Sequence, residues 1–293
     1  MELFHINAAL AAMGYAVAAV FSKQALSRGA GILRLSFLVN LLFLPIFGVL
    51  LLEHEGAVPW ELIHLPALTG VMFFVGQLFT FAAIRFGDVS LQTPMMGTKA
   101  VFAVILAVIC GTEVIGLPIF MAAFVAMLGV GFLGFSGTGA ERVGVSIVLA
   151  LLSSLFFAGS DTMVGMFAGG FGLPLFLFIT MGVNALLSFV LIPFFREPLS
   201  SIPTAAWPWM LGACLLMGLQ ALLLNYTLAR YQHVSEINIL YSTRGLWSVV
   251  FGALAIRIFS QTDKADHRGI YILRFTGALL MCVAIGILFF PNT

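Results

Sequence analysis

Ten apolar runs, each long enough to cross a bilayer, take up most of this 293-residue chain. A helix needs about 20 apolar residues to span a hydrocarbon core of about 30 Å. Windows of about 19 residues place the first five runs at Phe4–Phe21, Gly31–Leu52, Pro66–Ile84, Val89–Cys110 and Val114–Phe135. The other five are Val143–Met163, Leu173–Phe195, Trp207–Ala229, Val234–Phe259 and Ile270–Phe290. Charged residues make up 9% of the chain, against about 25% in a soluble domain, and the mean hydropathy is +1.12. In lipid every backbone N–H and C=O must find its partner within the protein, so such runs fold as helices. The expectation is an all-α multi-pass membrane protein of ten transmembrane helices. Its longest polar stretches, Glu53–Leu65, Arg196–Ala206 and Ser260–Gly269, leave no room for an appended soluble domain. The first residues lack the basic start of a signal peptide, Glu2 being the only charge before Lys23, and read as a retained first span.

Two of the runs echo each other. The stretch Val234 to Gly252 aligns without a gap on Val89 to Ala107. Extended four residues upstream, the match puts Arg85 on Arg230, Phe86 on Tyr231, Ser90 on Ser235, Thr98 on Thr243 and Lys99 on Arg244. Ser90 to Lys99 is roughly 13 Å of helix rise, close to half of a bilayer core of about 30 Å. A cation at that depth normally faces a bundle interior or a wet cavity.

Weaker matches extend the duplication. Val39-Asn40 falls on Val183-Asn184, with Pro45 and Pro193 following, and Gly70 and Gly76 keep the spacing of Gly212 and Gly218. Gly131 falls on Gly286. The chain thus divides into a first five-helix repeat over 1–135, a Gly- and Ser-rich linker over 136–142, and a second repeat over 143–293. Five is odd, so the second copy is inverted relative to the first. Inverted repeats around a central cavity, with the site near the midplane, are a recurrent plan of secondary transporters.

Five-plus-five spans, a fourth span closing in Gly111-Thr112-Glu113 and a Gly-rich fifth span resemble the EamA-type members of the drug/metabolite transporter superfamily. The second half departs from that pattern, with Ile256-Arg257-Ile258 where a Gly-Glu closing is expected. The resemblance implies a ten-helix basket whose central cavity opens alternately to either side. It also implies small metabolites, amino acids, drugs or organophosphates as cargo.

Charge distribution bears on orientation. Loops numbered odd from the N-terminus carry Lys23, Arg28, Arg85, Arg142, Arg196, Arg257, Lys264 and Arg268, whereas the even loops and termini carry only Arg230. The positive-inside rule puts the odd loops in the cytoplasm and both termini outside; the family resemblance implies termini inside. The membrane expected is the cytoplasmic (inner or plasma) membrane.

Lys99 and Arg244 head the candidate substrate-binding residues. A guanidinium offers a bidentate fork to a carboxylate or phosphate, and an ammonium offers a mobile point charge. On an uninterrupted helix Ile237, Tyr241 and Ser248 share Arg244's face, with Asn238 at its edge, and Gln92, Met96 and Ala103 accompany Lys99. The competing reading is an internal ion pair, with Asp161 or Glu236 neutralising one cation. A lock that opens during transport satisfies both. Candidate coupling or gating residues are Glu236, Asp161 and Pro94, the last expected to kink the fourth span. Asp161 falls opposite Lys23 in the repeat alignment, and both can snorkel to the interface. Asn40, Asn184, Gln77, Gln220 and Asn225 are expected to bond between helices. Tyr15 and Trp247 are candidate aromatic walls, with packing the alternative.

Several patterns carry no chemistry. Gly129-Val130-Gly131-Phe132-Leu133-Gly134 matches a dinucleotide fingerprint in letters only, inside an apolar span with no strand before it. Gly165 and Gly169 suit close helix packing. Cys110, Cys214 and Cys282 sit in apolar runs as small core residues, and the five histidines lack ligand spacing, so neither a disulfide framework nor a metal is expected. No cofactor is expected, and a net charge of +1 provides no field for nucleic acid.

The function expected is therefore secondary transport of a small organic anion or zwitterion (a carboxylate, phosphate ester or amino-acid-like metabolite) by alternating access. The alternative is export of organic cations or lipophilic drugs using Glu236 or Asp161. An intramembrane enzyme finds less support, for want of a nucleophile–base cluster; a non-transporting receptor or scaffold has no feature of its own. Expected partners are the small-molecule substrate, the lipid bilayer and a coupling proton or exchanged solute, the protein being a monomer or homodimer. No ATP-binding motif is present, so uphill transport must draw on an ion gradient or exchange.

Overall fold

The computed structural model describes residues 2–54, 56–86, 97–134, 143–259 and 268–289. Every described element is helical. The α-helices are α1 (Leu3–Ser27), α2 (Ile32–Gly48), α3 (His64–Phe86), α4 (Thr98–Ile109), α5 (Leu117–Gly134) and α6 (Val143–Phe171). They continue with α7 (Leu173–Leu187), α8 (Trp207–Tyr231), α9 (Val234–Tyr241), α10 (Arg244–Phe259) and α11 (Arg268–Phe289). Each of the ten expected spans meets a helix. Among the described residues six segments are long and apolar enough to cross a membrane, and shorter apolar helices at Thr98–Ile109, Leu117–Phe132 and Phe275–Phe289 accompany them. Large apolar side chains such as Leu52, Val114 and Phe275 stand exposed on the outside, as expected of a surface solvated by lipid.

Two spans finish in tighter helix. Val49–Glu53 continues α2, and Ser188–Phe194 continues α7, as 3-10 segments. Pro45 lies inside α2 and Pro193 inside the second 3-10 segment, each removing a backbone donor late in its span. The ninth span departs from expectation more sharply. It is not one helix but two, α9 and α10, separated at Ser242-Thr243 directly before Arg244. Ser242 Oγ donates to Asn238 O and Thr243 Oγ1 to Leu240 O, so both hydroxyls compete for the backbone acceptors that a continuous helix would use.

Helix packing explains which faces turn inward. On α6, Ser146, Ser153 and Ser160 recur every seven residues, and their hydroxyls donate to Ala83 O, Gly76 O and Thr69 O of antiparallel α3. The acceptors recur at the same interval, so one seven-residue stripe fixes the rotation of α6 against α3. The glycines matched between the halves are contact points. A Cβ on Gly70 would run into Thr180 O and one on Gly218 into Ile46, while those on Gly76 and Gly212 would stand 3.2 and 2.5 Å from Phe157 and Phe21. Gly165 lies against Val234 and Gly169 against Gln232, the close packing expected of that pair.

The two ends of the bundle are built from different loops. At one, the turn from α1 into α2 runs through Gly29 (φ +89°) and Gly31 (φ +74°), a backbone region costly for other residues. Arg34 closes it, donating to Gly29 O, Ala30 O, Pro198 O and Ser201 Oγ at 2.7–3.1 Å. At the other end Glu113 accepts the Ser235 N–H at the start of α9. His5 and His233 lie 3.5 and 3.8 Å from Glu236 there, with Phe4 and Phe289 against the imidazoles. The cysteines correct one expectation: Cys214 is buried, but Cys110 and Cys282 are exposed, so only one is a core residue.

Candidate functional site

The serine stripe on α6 turns Asp161, one residue past Ser160, away from α3 and towards α4. There Lys99 Nζ lies 2.6 Å from Asp161 Oδ2, with side chains only 9% and 5% exposed. No other hydrogen-bond donor reaches that oxygen among the described residues. Lys99 lies in the first turn of α4, and around it the helix buries alanines, Ala100, Ala103 and Ala107, which let α6 and α9 approach. Of the two carboxylates expected as internal partners for Lys99 and Arg244, Asp161 is the one in place; Glu236 lies beside His5 and His233 at the bundle end.

Arg244 opens α10 just after the break. Its Cζ lies 4.7 Å from the centroid of the Tyr241 ring and 4.8 Å from that of Tyr15. The two rings are 6.2 Å apart and inclined at 77°, an aromatic corner into which the guanidinium fits. A cation over a tyrosine face is held by the ring quadrupole, by about 0.5–1 kcal/mol when exposed and about 2 when desolvated. Among the described residues no carboxylate lies within ion-pair distance of Arg244, and the residue keeps partial exposure.

Tyr241 joins the two cations. Lys99 Nζ lies 5.5 Å from its ring centroid, so ammonium and guanidinium approach one phenol from two different helices. The phenol is fixed by donating to Gln220 Oε1 at 2.9 Å, while Gln220 Nε2 donates to Met217 O. Gly14 makes this reach available. A Cβ there would stand 3.1 Å from the Gln220 Cβ, so glycine lets α1 and α8 close together, and Tyr15 follows it in sequence.

The remaining candidates divide. Asn238 is buried on α9, its Nδ2 donating to Val234 O and its Oδ1 without a partner among the described residues. Ser248 is half-buried one turn along α10. The break between α9 and α10 removes the continuous face on which Tyr241, Arg244 and Ser248 were expected to align; Tyr241 meets Arg244 across the turn instead. Gln92, Pro94 and Met96 lie outside the described residues, while Ala103 is buried on α4. Lys23, aligned with Asp161, is exposed near the end of α1. Asn40 and Gln77 exchange two amide hydrogen bonds between α2 and α3. Asn225 differs from expectation: it bonds within its own helix, to Ala221 O. Asn184, the counterpart of Asn40, is buried with neither amide atom partnered among the described residues. Trp247 packs on the core and stacks against Phe251 at 6.0 Å. Tyr15 takes the wall position expected as one of its two roles, whereas the bond from Tyr241 to Gln220, expected only to join helices, is a partner that the sequence does not indicate.

Among curated proteins none matches this chain. A solved crystal structure superposes with a TM-score of 0.72, covering 98% of this chain and 95% of its own, at 14% identity. That likeness establishes the fold. Residues 3–135 match the EamA-like transporter family. The matched segment is the first of the two expected repeats, and it is similar to a family that belongs to the drug/metabolite transporter superfamily.

Proposed function

We propose that this transporter moves a small organic anion or zwitterion by alternating access, with Lys99 and Arg244 as the charges that receive it. The observation that carries the reading is the convergence of two cations on Tyr241, one paired with Asp161 and the other without a carboxylate partner among the described residues. A guanidinium beside a helix break is costly in a bilayer interior and well placed to meet an anionic group. Helix starts at the same point add their partial positive ends, since α10 begins at Arg244 and α4 at Thr98.

The two-repeat organisation is part of this proposal. It is supported by helix pairings that recur when the halves are exchanged. Thus α3 packs on α6 as α8 packs on α1, and α4 on α6 as α10 on α1. Such an arrangement suits a rocking motion of one repeat against the other about the shared site. Asp161 is the proposed gating group. It holds Lys99 in the state seen here, and a substrate carboxylate would take its place during the cycle. Glu236, lying beside two histidines at the bundle end, is a proposed coupling or gating carboxylate of the adjoining entrance.

Uptake into proteoliposomes tests the reading. Labelled carboxylates, phosphate esters, amino acids and organic cations are compared in wild type, Lys99→Gln and Arg244→Gln. Loss of anion uptake in both folded variants is expected. Unchanged anion uptake would reduce the pair to an internal lock, and uptake of cations alone would favour the export of organic cations or drugs.

A further inference from the structure

We infer that the site selects a monocarboxylate with an apolar, preferably aromatic body over phosphate esters and zwitterionic amino acids. This rests on the anion reading above and narrows it. Three described charges act on one another here: Lys99 and Arg244 positive, Asp161 negative. They leave one positive charge uncompensated. A monoanion brings the site to neutrality, the least costly state for a group within a bilayer. A doubly charged phosphate ester would leave an excess negative charge beside Asp161. A zwitterion would bring an ammonium to a place whose described carboxylate already holds Lys99 at 2.6 Å.

The chemistry of the walls points the same way. Asp161 is itself a carboxylate seated on Lys99, so the ammonium is already placed to receive a flat two-oxygen group. Arg244 sits against two inclined phenol rings, and Trp247, three residues on, lies on the same side of α10. An aromatic body meets compatible surface there, since edge-to-face contacts between rings are favourable.

Four probes with a phenyl body and different headgroups test this on the purified full chain by ligand-induced thermal shift: 3-phenylpropionate, phenyl phosphate at alkaline pH, phenylalanine and phenethylammonium. The expected order puts 3-phenylpropionate ahead of the others by about tenfold in the concentration required. Asp161→Asn adds a second uncompensated positive charge and should move the preference towards phenyl phosphate by about tenfold. The double variant Lys99→Met with Asp161→Asn restores the original charge balance; it should bind more weakly but keep the original order, and it carries the test if the single variant does not fold. Equal or stronger response to phenyl phosphate or phenylalanine in wild type overturns the monocarboxylate inference while leaving an anion or zwitterion carrier standing. A response to phenethylammonium alone overturns the anion reading as well. Silence towards 3-phenylpropionate in folded protein, or an unchanged order in Asp161→Asn, also overturns the inference.

Discussion

Separating Lys99 from Asp161 should be costly, and the cost should be unequal. The pair is nearly enclosed, with its charged atoms 2.6 Å apart. Removing one partner of a buried ion pair strands the other charge, at about 3–5 kcal/mol. Arg244 breaks the symmetry, because Asp161 interacts with it favourably while Lys99 is repelled by it. After Lys99→Met the carboxylate keeps a neighbouring cation, so that variant should fall near the lower figure, about 3 kcal/mol. After Asp161→Asn two cations face each other without compensation, which places that variant near the upper figure, about 5 kcal/mol. The double variant strands neither side of the pair and should lose no more than about 2 kcal/mol, since apolar or neutral replacement of a whole pair is often close to neutral. At about 2 °C per kcal/mol for a chain of this size, the single variants should melt roughly 6 and 10 °C below wild type. Thermal and SDS-induced unfolding of the three purified variants measures the cycle. Additive single effects, or singles costing under about 1 kcal/mol each, would refute the buried-pair argument, because the latter is the range of a hydrated surface pair.

Three further outcomes follow from the packing. Gly70→Ala should destabilise by about 1–3 kcal/mol because its Cβ would meet the Thr180 carbonyl, which is backbone and cannot turn aside; Gly131→Ala, with nothing within 4 Å among the described residues, should be neutral in the same melt. Gln220→Leu removes the acceptor that fixes the Tyr241 phenol and should weaken anion binding by about 1 kcal/mol, or roughly fivefold, in a titration by intrinsic tryptophan fluorescence. Cys110 is exposed at the end of α4 beside an even loop, whereas Cys214 is buried. A membrane-impermeant maleimide added to intact cells should therefore label Cys110 and spare Cys214 if the basic loops are cytoplasmic, and spare both if the termini are.

Most of the architecture could be read from hydropathy because backbone desolvation leaves few alternatives: a 20-residue apolar run in lipid is a helix. The inward placement of Lys99 and Arg244 was legible for a related reason, a charge inside such a run being too costly to face lipid. What surrounds them was not. Tyr15 reaches Arg244 from α1, more than two hundred residues away in sequence, and nothing local to either residue foretells the contact. Choosing Asp161 over Glu236 as the partner of Lys99 depended on the rotation of α6, which the serines at 146, 153 and 160 encode in a seven-residue interval that was present in the sequence but went unread. The break before Arg244 was hidden as well, since Ser242 and Thr243 are mild helix formers whose side-chain bonds to the backbone become visible only once the helix has ended.

The most direct test of the central claim is the anion-dependent thermal shift of Arg244→Gln set beside that of Lys23→Gln. Both remove one positive charge, the first from the aromatic corner and the second from an exposed position on α1. If the uncompensated cation of the core receives the substrate, Arg244→Gln abolishes the shift given by 3-phenylpropionate and Lys23→Gln leaves it intact. A full shift in folded Arg244→Gln would contradict the account.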